Sequence, residues 1–323
     1  MVQHCGKGAL SLRATARDNG AVNPPEPDLS PAFISVIIPV YNDTERLLLC
    51  LAALEAQTYP RHRFEVVVID NGSSVPVAEA IGQHAGCVIL VSEPRPGGFV
   101  ARNAGIERAR GEILAFTDAD CLPAPTWLGE LAKALDGRRT LLAGPIEAFP
   151  MIAARPTPSE RFDMLWGFPQ HRFVEDGYGA SANLAMPRAV FDEVGPFSTH
   201  LLSDGDQEWC QRAGRLGVPI RYAAEAVVRH PARRTVHQHV TKTRRMAGGV
   251  FQRFVSQSGR RRARAEMMFH SPPPLRRLFY AATASGLGTG WERIQLAGVL
   301  IALRLTWAGE WLRLELGSNP ERR

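Results

Sequence analysis

Asp118-Ala119-Asp120 is the first place in this chain where residue types and spacing could do chemistry. Two acids one residue apart in a tight turn can both point into one cleft. Carboxylate oxygens are hard ligands that suit Mg²⁺ or Mn²⁺, ions that take further ligands from substrate phosphates. Asp70, in Ile69-Asp70-Asn71-Gly72, is a second candidate. Its carboxylate could accept the imide N–H of a uracil or thymine ring. The same Asp-Asn-Gly could equally be a turn that needs no ligand.

These acids need elements to hold them. Residues 33–40 (Phe33 to Val40) read as a buried strand, and Asn42 to Glu45 read as a capping box opening a leucine-rich helix that reaches Gln57. Further strands are expected over 64–70, 88–91 and 112–117, with a helix over 98–110. The strands are apolar throughout instead of alternating. That pattern belongs to a mostly parallel sheet covered on both faces by helices, so the fold class is α/β. Ligands bind beyond the carboxyl ends of such strands. Tyr41-Asn42-Asp43, Asp70-Asn71 and Asp118 to Asp120 all stand at those ends.

After Thr140 the pattern loosens, and Pro, Gly and aromatic residues become frequent through Tyr178. Helices are expected over 188–194 and 206–216, and short strands over 220–222 and 226–229. The expected organisation is a disordered lead-in over 1–32, an α/β domain over 33–235 and a basic, amphipathic helical extension over 236–323.

Taken together the motifs resemble a known family. Ser35-Val36-Ile37-Ile38-Pro39-Val40-Tyr41-Asn42 comes first, then Val67-Val68-Ile69-Asp70-Asn71-Gly72-Ser73. Gly97-Gly98 with Ala101-Arg102-Asn103-Ala104-Gly105 follows, and then Thr117-Asp118-Ala119-Asp120. In this order and spacing the chain is similar to the family-2 inverting glycosyltransferases with the GT-A fold, over about residues 33 to 235.

The resemblance implies roles by position. Pro39, Tyr41 and Asp70 would line the nucleoside pocket. Arg102 would close it or meet the donor phosphates. Asp118 would contact the ribose or the metal's water shell, and Asp120 would bind Mn²⁺ or Mg²⁺ directly. The general base would lie in Ser203-Asp204-Gly205-Asp206-Gln207-Glu208-Trp209-Cys210-Gln211-Arg212. Asp206 falls on its usual position. Gly205 replaces an acid the family often carries, which leaves Asp204 as a rival. Both could instead be acids stabilising a helix start through its dipole. His230 follows a short apolar strand where some relatives place a metal-ligating histidine, and imidazole suits Mn²⁺ somewhat better than Mg²⁺.

The expected function is transfer of a sugar, with inversion, from a nucleotide-sugar donor, UDP- or dTDP-linked before GDP-linked, to a glycan or lipid-linked acceptor in polysaccharide, glycolipid or cell-envelope glycan synthesis. A sugar nucleotidyltransferase is the enzyme alternative. Val40-Tyr41-Asn42-Asp43 stands where such enzymes carry a glycine-rich basic loop, and speaks against it. A non-catalytic nucleotide-sugar-binding scaffold is the third reading, supported by Gly205.

Composition sets the outer bounds. The five cysteines (Cys5, Cys50, Cys87, Cys121 and Cys210) form no CxxC pair, which points to a reducing compartment. Residues 1–32 carry no signal-peptide run, so the expected location is cytoplasmic. The net charge of +6 comes mainly from late arginines. No acid occurs between Arg229 and Arg264, a stretch that could be a solvated face, a clamp for the donor diphosphate or an attraction to anionic lipid. Residues 275–315 add aromatic and leucine faces, from Phe279 to Trp311, compatible with peripheral membrane contact or with packing on the catalytic domain. No nucleic-acid motif is recognised, so nucleic acid is not an expected partner.

Overall fold

The computed structural model describes residues 31–82, 88–201, 203–270, 275–284, 287 and 289–319, with the backbone alone over 256–270. The expected lead-in lies almost wholly outside the described residues, as do Cys5, Cys87 and the side chains of Arg260, Arg261 and Arg262.

Strand β1 (Ile34–Val40) pairs in parallel with β2 (Phe64–Asp70) and with β4 (Ile113–Thr117). β2 pairs in parallel with β3 (Val88–Ser92). Alternate residues feed two cores. Val36, Ile38 and Val68 pack under α1 (Thr44–Glu55), while Ile37, Val67 and Ile69 pack with α3 (Gly98–Arg108). This is why these strands are continuously apolar: both faces are covered. The expected capping box at Asn42 does not form. Asp43 is the N-cap, without a side-chain bond, and Asn42 turns to φ 50°. Its Oδ1 accepts the Ser74 N–H at 2.7 Å, tying the turn after β1 to the turn after β2.

The sheet then changes direction. β8 (Asn183–Pro187) runs antiparallel between β4 and β6 (Leu141–Ala143), and β9 (Ile220–Tyr222) closes the edge. The order is β3-β2-β1-β4-β8-β6-β9, a mixed sheet that is mostly parallel. A second, three-stranded sheet joins β5 (Leu122–Pro123), β10 (Val228–Pro231) and β7 (Ile146–Phe149). Asn183 links the two sheets. It is fully buried, accepts the Trp127 indole N–H at 2.9 Å, and donates to the Pro145 and Ala226 carbonyls, each at 2.8 Å. Trp127 opens α4 (Trp127–Leu135).

Four more short helices fill the α/β part: α2 (Val77–Ile81), α5 (Pro158–Trp166), α6 (Gln170–Glu175) and α7 (Arg188–Val194). α8 (Gly205–Arg215) carries the candidate base. Three helices follow: α9 (Val236–His270), α10 (Leu275–Thr283) and α11 (Gly290–Glu315). α9 and α11 share a seam of Ala247, Phe251, Trp311 and Leu314. α11 meets α5 through Leu296 and Leu300, and Glu292 pairs with Arg161 at 2.6 Å. Gly249 lets α9 come close to the loop before α8, because a Cβ there would lie 2.7 Å from Ser203. No described helix is long and apolar enough to cross a membrane.

Candidate functional site

The carboxyl ends of β1, β2 and β4 open onto a cleft of about 500 Å³. Pro39, Val40, Tyr41 and Asn71 line one side, Gly97 to Phe99 and Arg102 another. Asp118, Asp204, Asp206 and Arg245 belong to the same lining. Asp118 stands one residue past β4, and the Arg102 guanidinium, reaching over from α3, pairs with its Oδ1. The arginine is buried and is also held by the Gly98 carbonyl at 3.2 Å.

Asp70 is placed differently from its neighbours. Its Oδ1 accepts the Ser73 N–H at 2.9 Å, and its Oδ2 accepts the Val77 N–H at 3.3 Å. It therefore organises the turn after β2, while the adjacent Asn71 lines the cleft. Asn71 is fixed in turn, donating to the Glu93 and Arg95 carbonyls and accepting the Gly97 N–H.

Asp206 sits in the first turn of α8. Its Oδ2 accepts the Ser181 N–H and its Oδ1 the Gln207 N–H, both at 3.0 Å. Burial pushes its carboxyl above the ordinary carboxylate value, against the pull of the Ser181 N–H, Arg102 and the Gln207 N–H, with Asp118 adding to the rise. A carboxylate held in place and made more basic is suited to take a proton. Asp204, the rival, adopts φ 67° and is ion-paired at 2.7 Å with Arg253 of α9. Gly205 has a packing reason: a Cβ there would come within 2.6 Å of the Phe99 ring. The glycine thus has a steric reason of its own in its neighbour Phe99.

Asp120 and His230 meet at the second sheet. β10 runs antiparallel to β5, with Arg229 opposite Leu122. That register brings His230 alongside Cys121 and Asp120. His230 Nε2 lies 3.4 Å from Asp120 Oδ2. Its Nδ1 lies 2.7 Å from the Pro231 carbonyl, which can only accept, so Nδ1 carries the proton. Nε2 is thus the ring nitrogen turned to the Asp120 carboxylate, the two positioned so that a cation could bridge them. Two ligands about 2.1 Å from one ion lie about 3.0 to 3.4 Å apart, so the pair fits a divalent metal. Cys121 Sγ belongs to the same group. Burial first, then Asp118 and Asp120, hold its thiol pKa well above the usual value, and sulfur suits Mn²⁺ or Mg²⁺ less well than the carboxylate and the imidazole. Arg46, half-exposed, bridges Asp43 at 3.3 Å and Asp120 at 3.5 Å.

The structure therefore gathers Pro39, Tyr41, Arg102, Asp118, Asp204 and Asp206 around one cleft. Asp120 and His230 form a pair beside it, and Asp70 supports the rim. Four residues escape the sequence reading: Arg46, Phe168, Ser181 and Arg245. Arg245 belongs to the acid-free stretch, whose charge pattern is visible but whose facing is not. Phe168 lies in the Pro- and Gly-rich segment, without a local signal. Its ring lines the cleft and sits 4.7 Å, centroid to centroid, from His230.

Comparison with known proteins fits this geometry. Residues 35–198 match the family model described as glycosyl transferase family 2. The chain is 36% identical over 206 residues to glycosyltransferase AglE of Haloferax volcanii, covering 62% of this chain and 67% of that protein. It is 24% identical over 235 residues to the pre-mycofactocin glycosyltransferase of Mycobacterium tuberculosis, covering 68% of this chain and 47% of that protein. Among solved structures, mannosyltransferase PcManGT from Pyrobaculum calidifontis, in complex with GDP-Man and Mn²⁺, superimposes with a TM-score of 0.58 at 19% identity, over 88% of each chain. S. aureus TarS 1–349 in complex with UDP-GlcNAc does so at 0.50 and 18% identity, over 88% of this chain and 90% of that one. At these identities the structures bear on the fold, and the fold they share is GT-A.

Proposed function

The chain belongs to glycosyl transferase family 2, and from that premise we propose that it moves a sugar from a nucleotide-diphosphate donor to an acceptor hydroxyl, with inversion at the anomeric carbon. The observation that carries this reading is Asp206. It is a partly buried carboxylate of raised basicity, fixed by two backbone N–H groups, in the same cleft as the Arg102–Asp118 pair.

In this reading the nucleoside lies along Pro39, Tyr41 and Asn71, with Asp70 setting the shape of that wall. The donor diphosphate points towards Arg102, Arg245 and the Asp120–His230 pair. Asp206 takes the acceptor proton as the hydroxyl oxygen attacks the anomeric carbon, and the bond to the diphosphate oxygen breaks on the opposite side. Negative charge grows on the leaving diphosphate, where the buried, fixed guanidinium of Arg102 and the exposed one of Arg245 meet it. Asp120 and His230 would hold Mn²⁺ or Mg²⁺, which supplies Lewis-acid neutralisation of the same charge.

The solved relatives hold GDP-Man with Mn²⁺ in one case and UDP-GlcNAc in the other, which supports a nucleotide-sugar donor and leaves the base to experiment. UDP- and dTDP-sugars are the first donors to test, with Asp70 holding the Ser73 and Val77 N–H groups and Asn71 lining the cleft. The direct test is a thermal-shift screen of UDP-, dTDP- and GDP-sugars with Mn²⁺ or Mg²⁺, followed by assay of the released nucleotide. Stabilisation by one donor and release of its nucleoside diphosphate are expected. Release of pyrophosphate, or no response to any donor, would overturn the reading.

A further inference from the structure

Helix α11 is apolar on two faces. The inner one, with Leu296, Leu300, Trp311 and Leu314, packs against α5, α9 and α10. The outer one carries Trp291, Ile294, Ile301, Leu305 and Leu312, each between 48% and 69% exposed. Gly298 and Ala308 complete the series. Its steps run three, four, three, four, three, four, the rhythm of a helix–helix seam held over three heptads. A helix apolar all round is normally buried. Yet no described helix, α11 included, is long and apolar enough to cross a membrane. A contiguous exposed apolar strip of this kind marks a surface that something else covers.

Two glycines are a second, independent observation. Gly298 lies on the seam and Gly309 beside it. Glycine weakens a helix interior relative to alanine. A Cβ at either position would meet open space, so no neighbour within the chain asks for the small residue. A second helix approaching closely would.

The charges beside the seam turn away from it. Helices that lie in a membrane surface carry Lys and Arg along the apolar strip, where they meet headgroups. Here Arg293 donates to the Ala282 and Ala284 carbonyls at 2.6 and 2.7 Å, and Arg313 pairs with Glu310. Arg304 lines a cavity that α11 shares with α5 and α9. Glu292 is held by Arg161. The seam itself is uncharged, so it meets its own copy without like-charge contacts.

We propose that the outer face of α11 is the interface of a homodimer, in which two α11 helices pack antiparallel about a twofold axis between Ile301 and Ala302. That register sets Gly298 opposite Leu305 of the second copy, and Gly309 opposite its Ile294. Each gap thus receives a bulky side chain, and Trp291 meets Leu312. The five large side chains expose on the order of 600 Å² per copy, so pairing buries about 1,200 Å², the lower end of a specific interface.

The test is the mass of the full-length protein in detergent-free solution, by light scattering and sedimentation equilibrium, with lipid vesicles as a separate arm. A dimer at micromolar concentration is expected. Ile301→Glu, at the axis and half-exposed in the single chain, should shift it to monomer. Gly298→Leu should weaken association at least tenfold without lowering Tm, because the new side chain meets open space in the monomer and Leu305 in the dimer. A monomer at tens of micromolar, or a dimer that either variant leaves intact, would overturn the proposal. So would binding to phosphatidylcholine or phosphatidylglycerol vesicles that Ile301→Glu abolishes while the protein alone stays monomeric, because lipid then covers the face. If Ile301→Glu misfolds, Gly298→Leu decides alone, and unchanged association in that variant sinks the dimer.

Discussion

Asp204 and Asp206 lie two residues apart in different surroundings. Asp204 is paired with Arg253, whereas Asp206 accepts two N–H groups and faces the cleft. Its raised pKa has a direct kinetic consequence. A base must be unprotonated, so activity should fall as pH drops through the folded-state pKa, and that acid limb should lie above the ordinary carboxylate value of 3.8. Asp206→Asn should lower turnover about 10²- to 10⁴-fold with donor affinity retained, and a pH–rate profile checks the limb.

Lys242 gives a second test at this scale. Burial takes its pKa from 10.5 down to about 7. The unfolded chain then binds more protons than the folded one between those values, so this group makes stability rise with pH across that window. Lys242→Met should raise Tm by a few degrees below pH 7, with the gain fading towards pH 10.5. Thermal melts across pH check it.

The acids after β2 and β4 were legible because local chain order places them at strand ends. Arg245 and Lys242 were not, because a basic run on a helix does not say which face meets the site.

The elements that carry these side chains depend on Asn183. Its side chain joins Trp127, Pro145 and Ala226, and so sets where β10 lies and where His230 points. Asn183→Ala leaves three buried groups without that partner, at about 1–3 kcal/mol each. A large loss of Tm is expected, with weakened Mn²⁺ dependence of donor binding. Denaturant unfolding and metal titration measure the two effects. The strands β1 to β4 were readable as unbroken apolar runs with helices between them. β8 was not. Asn183-Leu184-Ala185-Met186-Pro187 is short, ends in proline and gives no sign of running antiparallel. The small sheet of β5, β7 and β10 was missed in part for the same reason, since strands of two to four residues owe their state to partners far away in sequence.

At the scale of the whole molecule, the expected boundary near residue 235 runs through the candidate site. α9 lies beyond it, yet supplies Arg245 to the cleft, Lys242 to the Phe168 ring and Arg253 to Asp204. The net positive charge of the chain therefore bears on the reaction centre as well as on the surface. Arg102 and Arg245 line a cleft that, in this account, receives a diphosphate.

The central claim is that the Asp120–His230 pair serves the donor and Asp206 serves the acceptor. The most direct test is calorimetric donor binding in Mn²⁺ set beside turnover, for the wild-type chain, Asp120→Ala and Asp206→Asn. The account predicts that Asp120→Ala loses metal-dependent donor binding along with turnover, and that Asp206→Asn loses turnover alone. Full activity in either variant, or equal loss of donor binding in both, would contradict it.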